Sequence, residues 1–115
     1  MTPDNLQALA SDGARHGQRI IRLRGPLSLH TVFDFQGAVR SETSPHLIID
    51  FSDVPFVDSS GLGALVGVQV SAQKSGRTLG FVGMNTQIIT LMEMTKIRAL
   101  FQIYSTLQEA EAAAA

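Results

Sequence analysis

Between Leu47 and Gly63 the chain reads Leu-Ile-Ile-Asp-Phe-Ser-Asp-Val-Pro-Phe-Val-Asp-Ser-Ser-Gly-Leu-Gly. The continuous apolar run from His46 to Asp50 implies a central strand covered on both faces, the pattern of a parallel sheet with helices packed against it. Pro55 holds Val54 extended, so a loop follows the strand. Asp58, Ser59 and Ser60 come next, and all three are N-cap types whose side-chain oxygens accept bonds from unpaired helix N–H groups. Free N–H groups and the helix dipole favour negative charge at such a tip. Ser59 or Ser60 is therefore a candidate phosphate acceptor, while the plainer reading of the trio is a capped helix.

The remaining elements alternate around this stretch. Met1 to Gly17 is undecided: Leu6, Leu9 and Ala10 stand at helical spacing, yet a poor edge strand fits equally, and Asp12-Gly13 marks a turn. Arg19 to Arg24 predicts a strand with Ile21 and Leu23 on one face and solvated arginines on the other. Ser28 to Ser41 predicts an amphipathic helix carrying Val32, Phe33, Phe35, Gln36 and Val39, started near Ser28 or Thr31 and closed by Ser44-Pro45. Leu62 to Lys74 is ambiguous by propensity, but its length, the caps before it and Gly76 after it favour helix. That helix is apolar on nearly all sides, so it is buried between layers or shows apolar surface to a partner. Thr78 to Val82 reads as a strand, Asn85 caps a helix reaching about Thr95, Phe101 to Tyr104 adds a last strand, and 107–115 is a terminal helix or frayed tail. Met84, Met92 and Met94 are expected to fill core. Strand and helix alternation of this kind implies a parallel-leaning sheet whose functional loops lie at the carboxyl ends of the strands, where Asp50 to Ser60 sits.

A length of 115 residues suits one domain spanning 1–115, and 44% hydrophobic with 17% charged residues suits a packed core. A net charge of −1 shows no electrostatic footprint for nucleic acid. The lack of cysteine removes disulfides and thiolate metal sites and fits a reducing compartment. No basic-then-apolar segment opens the chain, and no apolar run approaches the roughly 18 residues of a membrane helix, so a cytoplasmic protein without membrane insertion is expected.

Rival chemistries are weak on their own terms. A serine hydrolase needs Gly-x-Ser-x-Gly and a histidine base; Val57-Asp58-Ser59-Ser60-Gly61 lacks the leading glycine. Dinucleotide binding through Gly61-Leu62-Gly63 lacks its third glycine, Val66 standing there. His16, His30 and His46 lie in separate segments without ligand spacing. A receiver-like module would use Asp50 as phosphoacceptor with Asp53 and Asp58 on Mg²⁺, but no acidic pair follows either early strand. Loop capping and solvation are the preferred roles for Asp50 and Asp53. No catalytic residue, metal or cofactor is expected.

Val57-Asp58-Ser59-Ser60-Gly61-Leu62-Gly63, after a strand and Pro55-Phe56, resembles the signature of STAS domains, specifically bacterial anti-sigma factor antagonists. Arg19 to Leu29, Gly76-Arg77-Thr78-Leu79 and Glu93 to Tyr104 resemble further segments of that family in the same order. The resemblance implies an α/β STAS-type fold, a four- to five-stranded mixed sheet with about four helices. It implies a binding protein rather than an enzyme, phosphorylated at Ser59 by an anti-sigma factor serine kinase, with Ser60 the helix-capping neighbour. The unphosphorylated form binds the anti-sigma factor and frees the sigma factor, and a metal-dependent serine phosphatase restores that form. Asp58, Ser59, Ser60, Gly61, Leu62, Ser28 and Asp53 are the implied partner-binding residues. A stress-complex scaffold subunit, or a regulator of lipid or transporter systems, is the alternative on the same fold. Two positions depart from the pattern. Gly25 is followed by Pro26-Leu27-Ser28 instead of the usual acidic residue and Leu-Asp, and Lys96 replaces a glycine after the third helix.

A phosphate on Ser59 adds about −1.5 to −2 charges at pH 7. The helix tip offsets this by ~0.3 to 2 kcal/mol. Burying the same group unpaired against a partner costs roughly 3 to 5 kcal/mol, so phosphorylation is predicted to break an interface and spare the fold.

Overall fold

Alternate residues of the central strand face two different layers. Leu47, Ile49 and Phe51 pack into the main core, whereas Ile48 joins Val82 and Ala110 in a smaller core on the opposite face. Both faces being covered, the strand carries no polar side chain between His46 and Asp50. The computed structural model describes residues 5–113. Its elements are β1 (Gln7–Asp12), β2 (Gln18–Arg24), α1 (Val32–Arg40), β3 (His46–Asp53), α2 (Ser59–Lys74), β4 (Thr78–Val82), α3 (Thr86–Met94), a 3₁₀ turn (Arg98–Leu100), β5 (Gln102–Tyr104) and α4 (Leu107–Ala113).

The five strands form one mixed sheet in the order β1-β2-β3-β4-β5. β1 is antiparallel to β2, and the other pairs are parallel. Parallel neighbours need crossovers, and right-handed crossovers along a strand order that never reverses put every connecting helix on the same side. Accordingly Phe35 and Val39 of α1, Leu62 and Leu65 of α2, and Ile88 and Met92 of α3 share one core with Ile21, Leu23, Leu79 and Phe81. α4, which crosses nothing, covers the other face through Ala110 and Leu107.

Several expectations change in the folded chain. The undecided N-terminal segment is an edge strand over Gln7–Asp12, all of its residues exposed, in unbroken register with β2. Pairing with β2 overrides the helical spacing of Leu6, Leu9 and Ala10, and only Leu6 of the three is buried. Residues 1–4 of that segment, and 114–115 of the C-terminal one, lie outside the described residues. β3 runs on to Asp53 because a register shift between Arg22 and Arg24 lets Arg24 pair with Asp53. α1 begins at Val32: residues 28–31 form a turn in which Thr31 Oγ1 donates to the Pro26 carbonyl and accepts from Ser28 N–H. Phe33 faces solvent at 82% exposure, although the amphipathic reading set it beside Phe35. Met92 fills core and Met84 packs against it, but Met94 is exposed.

The end of α3 takes an unusual form. Lys96 adopts φ 63°, the one positive φ outside glycine among the described residues. Lys96 N–H donates to the Glu93 carbonyl at 3.1 Å and Ile97 N–H to that of Met92 at 3.0 Å. These two bonds define a Schellman cap. Gly76 closes α2 with the same pair, Gly76 N–H to Gln73 and Arg77 N–H to Ala72. The helix thus keeps a glycine-type end although Lys96 replaces the glycine, with lysine in the left-handed conformation that glycine adopts freely.

Candidate functional site

The site is made by two loops at the carboxyl ends of β2 and β3, bound edge to edge. Gly25 N–H donates to the Asp53 carbonyl, Leu27 N–H to that of Phe56 and Asp58 N–H to that of Leu27, at 3.1 to 3.2 Å. Leu27 and Val57 form a parallel bridge that prolongs the β2–β3 pairing past its irregularity. On the other flank, the Gln87 side chain of α3 clamps both polar groups of the Val57 backbone, accepting from its N–H at 3.2 Å and donating to its carbonyl at 3.1 Å. Asn85, whose Oδ1 caps α3 by accepting from Ile88 N–H, donates through Nδ2 to the Pro55 carbonyl. Val54 and Val57 anchor this segment in the core, and these bonds fix its backbone as well.

Asp58 is the centre of this arrangement. It is the N-cap of α2, with extended backbone (φ −94°, ψ −176°), and its Oδ1 accepts from Gly61 N–H at 2.8 Å. Its Oδ2 accepts from Leu29 N–H at 3.1 Å in the opposite loop. One carboxylate thus closes the helix and ties the β2–α1 loop to it. The cap expected of Ser60 is supplied by Asp58, because only the residue preceding Ser59 has the extended backbone an N-cap requires. Ser59 occupies the first helical position and is exposed; Ser60 is second and half-buried. The first four N–H groups of a helix lack intrahelical partners. Those of Asp58 and Gly61 are taken by Leu27 and by the cap, which leaves the N–H groups of Ser59 and Ser60 at the tip.

Gly61 is buried against the opposite loop. A Cβ there would overlap the Leu27 carbonyl oxygen and approach Leu27 Cγ to 2.9 Å. Leu62 is buried in the core, and Ser28 is 8% exposed. Of the seven residues named from sequence, Asp58, Ser59, Ser60 and Asp53 reach solvent, while Gly61, Leu62 and Ser28 are turned inward and hold the frame. Asp53 lies 3.6 Å from both Arg22 Nε and Arg24 Nε, so its charge is partly matched within the strand face. Asp50 accepts from Ser52 N–H at 2.9 Å and from Ser52 Oγ at 2.6 Å, a loop-capping role. Among the described residues no group of three or more histidine, aspartate or glutamate side chains is placed to hold a metal ion. No helix there is long and apolar enough to cross a membrane.

Beside Asp58 opens a groove of about 660 Å³, lined by residues that include Pro26, His30, Asp53, Val54, Phe56 and Asn85. Phe56 is exposed at its rim, and Leu29 and Phe33 are exposed on the adjoining loop and helix. The sequence reading missed Leu29, Gln87 and Asn85 as site residues. Asn85 carried a signal as a helix cap; Gln87 and Leu29 carried none, since each acts on a residue about thirty positions away.

A family model described as STAS domain matches residues 6–110. Over 92 residues the chain is 26% identical to the anti-sigma F factor antagonist of Paenibacillus polymyxa, covering 76% of this chain and 79% of that protein. It superposes on the crystal structure of an anti-sigma factor antagonist from Mycobacterium paratuberculosis with a TM-score of 0.84 at 25% identity, over 98% of this chain and 97% of that one. It also matches the Bacillus cell fate determinant SpoIIAA in its phosphorylated form with a TM-score of 0.65, over 94% and 98% of the two chains. At 16% identity that last likeness is one of fold.

Proposed function

Because this chain belongs to the STAS domain family, we propose that it is an anti-sigma factor antagonist switched by phosphorylation of Ser59. Unphosphorylated, it binds an anti-sigma factor serine kinase and frees a sigma factor. Phosphorylated, it lets the kinase go, and a serine phosphatase returns it to the binding form. It is a protein-binding module and a kinase's substrate, not an enzyme, and on this reading it works in the cytoplasm.

The observation that carries the reading is the placement of the Ser59 hydroxyl, exposed at the first position of α2 on a tip held rigid by Asp58. A kinase reaches such a hydroxyl without unfolding anything. The added phosphate meets two N–H groups and the positive end of a sixteen-residue helix. Asp58, the one acid adjacent in sequence, already accepts two N–H bonds, which lowers its repulsion of the new charge. A partner covering this tip must pair the phosphate with a cation or leave it buried unpaired, and an unpaired buried charge costs roughly 3 to 5 kcal/mol. That corresponds to about 10²-fold to several thousandfold in affinity. The relatives of known name support the assignment of the partner as an anti-sigma factor.

The test is capture from the native cell with wild type, Ser59→Ala and Ser59→Asp, each prey identified by mass spectrometry. A kinase-fold partner retained by the alanine form and lost by the aspartate form is the expected result. Equal capture by all three forms overturns the switch.

A further inference from the structure

A second groove, of about 370 Å³, lies between the C-terminal halves of α1 and α2 and is lined by residues that include Gln36, Arg40, Gly67, Ser71 and Arg77. Ser71 is twelve residues beyond Ser59 on the same helix, which at 1.5 Å per residue is about 18 Å along its axis. The groove is therefore separate from the serine tip.

Its polar groups are mostly donors. Arg77 is half-buried and fixed in place: its Nε donates to the Ser44 carbonyl at 3.0 Å and its Nη2 to that of Glu42 at 2.6 Å. A guanidinium has five N–H donors, so these two bonds leave others to spare. The ion pairs among the described residues involve Arg19, Arg22 and Arg24, and none involves Arg40 or Arg77. Glu42, the acid nearest in sequence to Arg40 and the residue whose carbonyl Arg77 grips, directs its carboxylate to Arg19 at 3.0 Å and is itself largely covered. Carbonyls at two neighbouring helix ends would oppose an anion, but five of them accept backbone N–H bonds. Ser71, Ala72 and Gln73 accept from Ser75, Arg77 and Gly76, and Gly37 and Val39 accept from Ser41 and Glu42. Gly67 presents no side chain, and a Cβ there would touch nothing within 4 Å, so the groove stays open at its middle.

We propose that this groove is an anion site for a phosphate-type oxyanion, free or carried on a small molecule. Arg40 and Arg77 supply the charge, and the Gln36 amide and Ser71 hydroxyl supply neutral hydrogen bonds. Planar guanidinium forks match tetrahedral oxyanions in pairs, and two of them facing one groove without a carboxylate leave a positive field for the ligand to neutralise. The volume holds a phosphate with a small organic body.

The test is a backbone amide NMR titration of the full chain with inorganic phosphate, with ribose 5-phosphate, and with sodium chloride at matched ionic strength. Saturable shifts at residues 36–40 and 67–77 that chloride does not reproduce are expected. Saturation by phosphate alone identifies the free ion, and saturation by ribose 5-phosphate only identifies a phosphorylated small molecule; both uphold the site. Arg40→Gln, at an exposed position, is expected to weaken binding at least tenfold with the rest of the spectrum unchanged, while Ser59→Ala binds as wild type. Shifts that follow ionic strength alone, or an Arg40→Gln protein that saturates like wild type, overturn the proposal.

Discussion

The backbone of Leu27 stands where a side chain on Gly61 would begin: the Leu27 carbonyl oxygen blocks the position and Leu27 Cγ comes within 2.9 Å of it. The glycine of the Asp58-Ser59-Ser60-Gly61 motif thus serves the approach of two loops. Four residues later on the same helix, Leu65 is fully buried, so α2 cannot slide outward to make room. Gly61→Ala is expected to lose about 1 to 3 kcal/mol, the usual cost of overpacking a fitted contact. Urea unfolding followed by circular dichroism measures it, and an unchanged midpoint refutes the close-approach role.

Gly67 on the same helix gives the opposite sign. Nothing lies within 4 Å of a Cβ placed there. Gly67→Ala gains helix propensity without a clash and should raise stability by about 0.5 to 1 kcal/mol. The two alanine variants, measured side by side, separate a packing glycine from a merely exposed one.

Asp58 makes one bond to each of two elements, α2 and the β2–α1 loop. Asp58→Ala removes both and is expected to cost about 1 to 2 kcal/mol, the upper range for a lost N-cap. Asp58→Asn keeps a single acceptor oxygen, which retains the cap and surrenders the tie to Leu29. Hydrogen exchange distinguishes them: Leu29 N–H loses protection in both variants, Gly61 N–H only in the alanine form.

A negative charge at Ser59 should leave the fold standing. The side chain is exposed at the first position of α2, where an acidic residue interacts favourably with the dipole by about 0.3 to 1 kcal/mol. Ser59→Asp is therefore expected to melt at or slightly above the wild-type temperature. A large fall in Tm would mean that loss of partner binding in this variant reflects unfolding rather than charge.

Lys96 holds φ 63° at the end of α3. Glycine at that position avoids the left-handed penalty, which is roughly 1 to 2 kcal/mol for a residue with a Cβ. Part of that gain is offset by the greater freedom of glycine in the unfolded chain. Lys96→Gly should raise stability by about 1 kcal/mol in thermal unfolding, and a loss of stability would exclude strain at the cap.

What could be read from the residues alone was whatever is fixed within a few positions along the chain. The apolar run before Asp50, the hydroxyl-rich start of α2 and the Asn85 cap all follow from local sterics and hydrogen bonding, and all are present. The alternating Ile21 and Leu23 likewise name their own buried face. With the recurring segments from Arg19 to Tyr104, these were sufficient to name the family and its mixed sheet.

Burial and loop closure depend instead on residues far apart. Phe33 and Phe35 are both compatible with an amphipathic helix, and only the turn at 28–31, which delays the helix to Val32, sets which of them faces the sheet. Leu6, Leu9 and Ala10 lose their helical spacing to a strand partner more than ten residues away. Ser28 is drawn inside by a turn around Thr31, and Gln87 reaches back thirty positions to grip Val57. Local rules specify which conformations a segment prefers, while the free energy of burying one face of it belongs to the sheet as a whole. The capped serine tip was therefore written in the sequence, and the loops that make it a rigid, exposed platform came only with the closing of the fold.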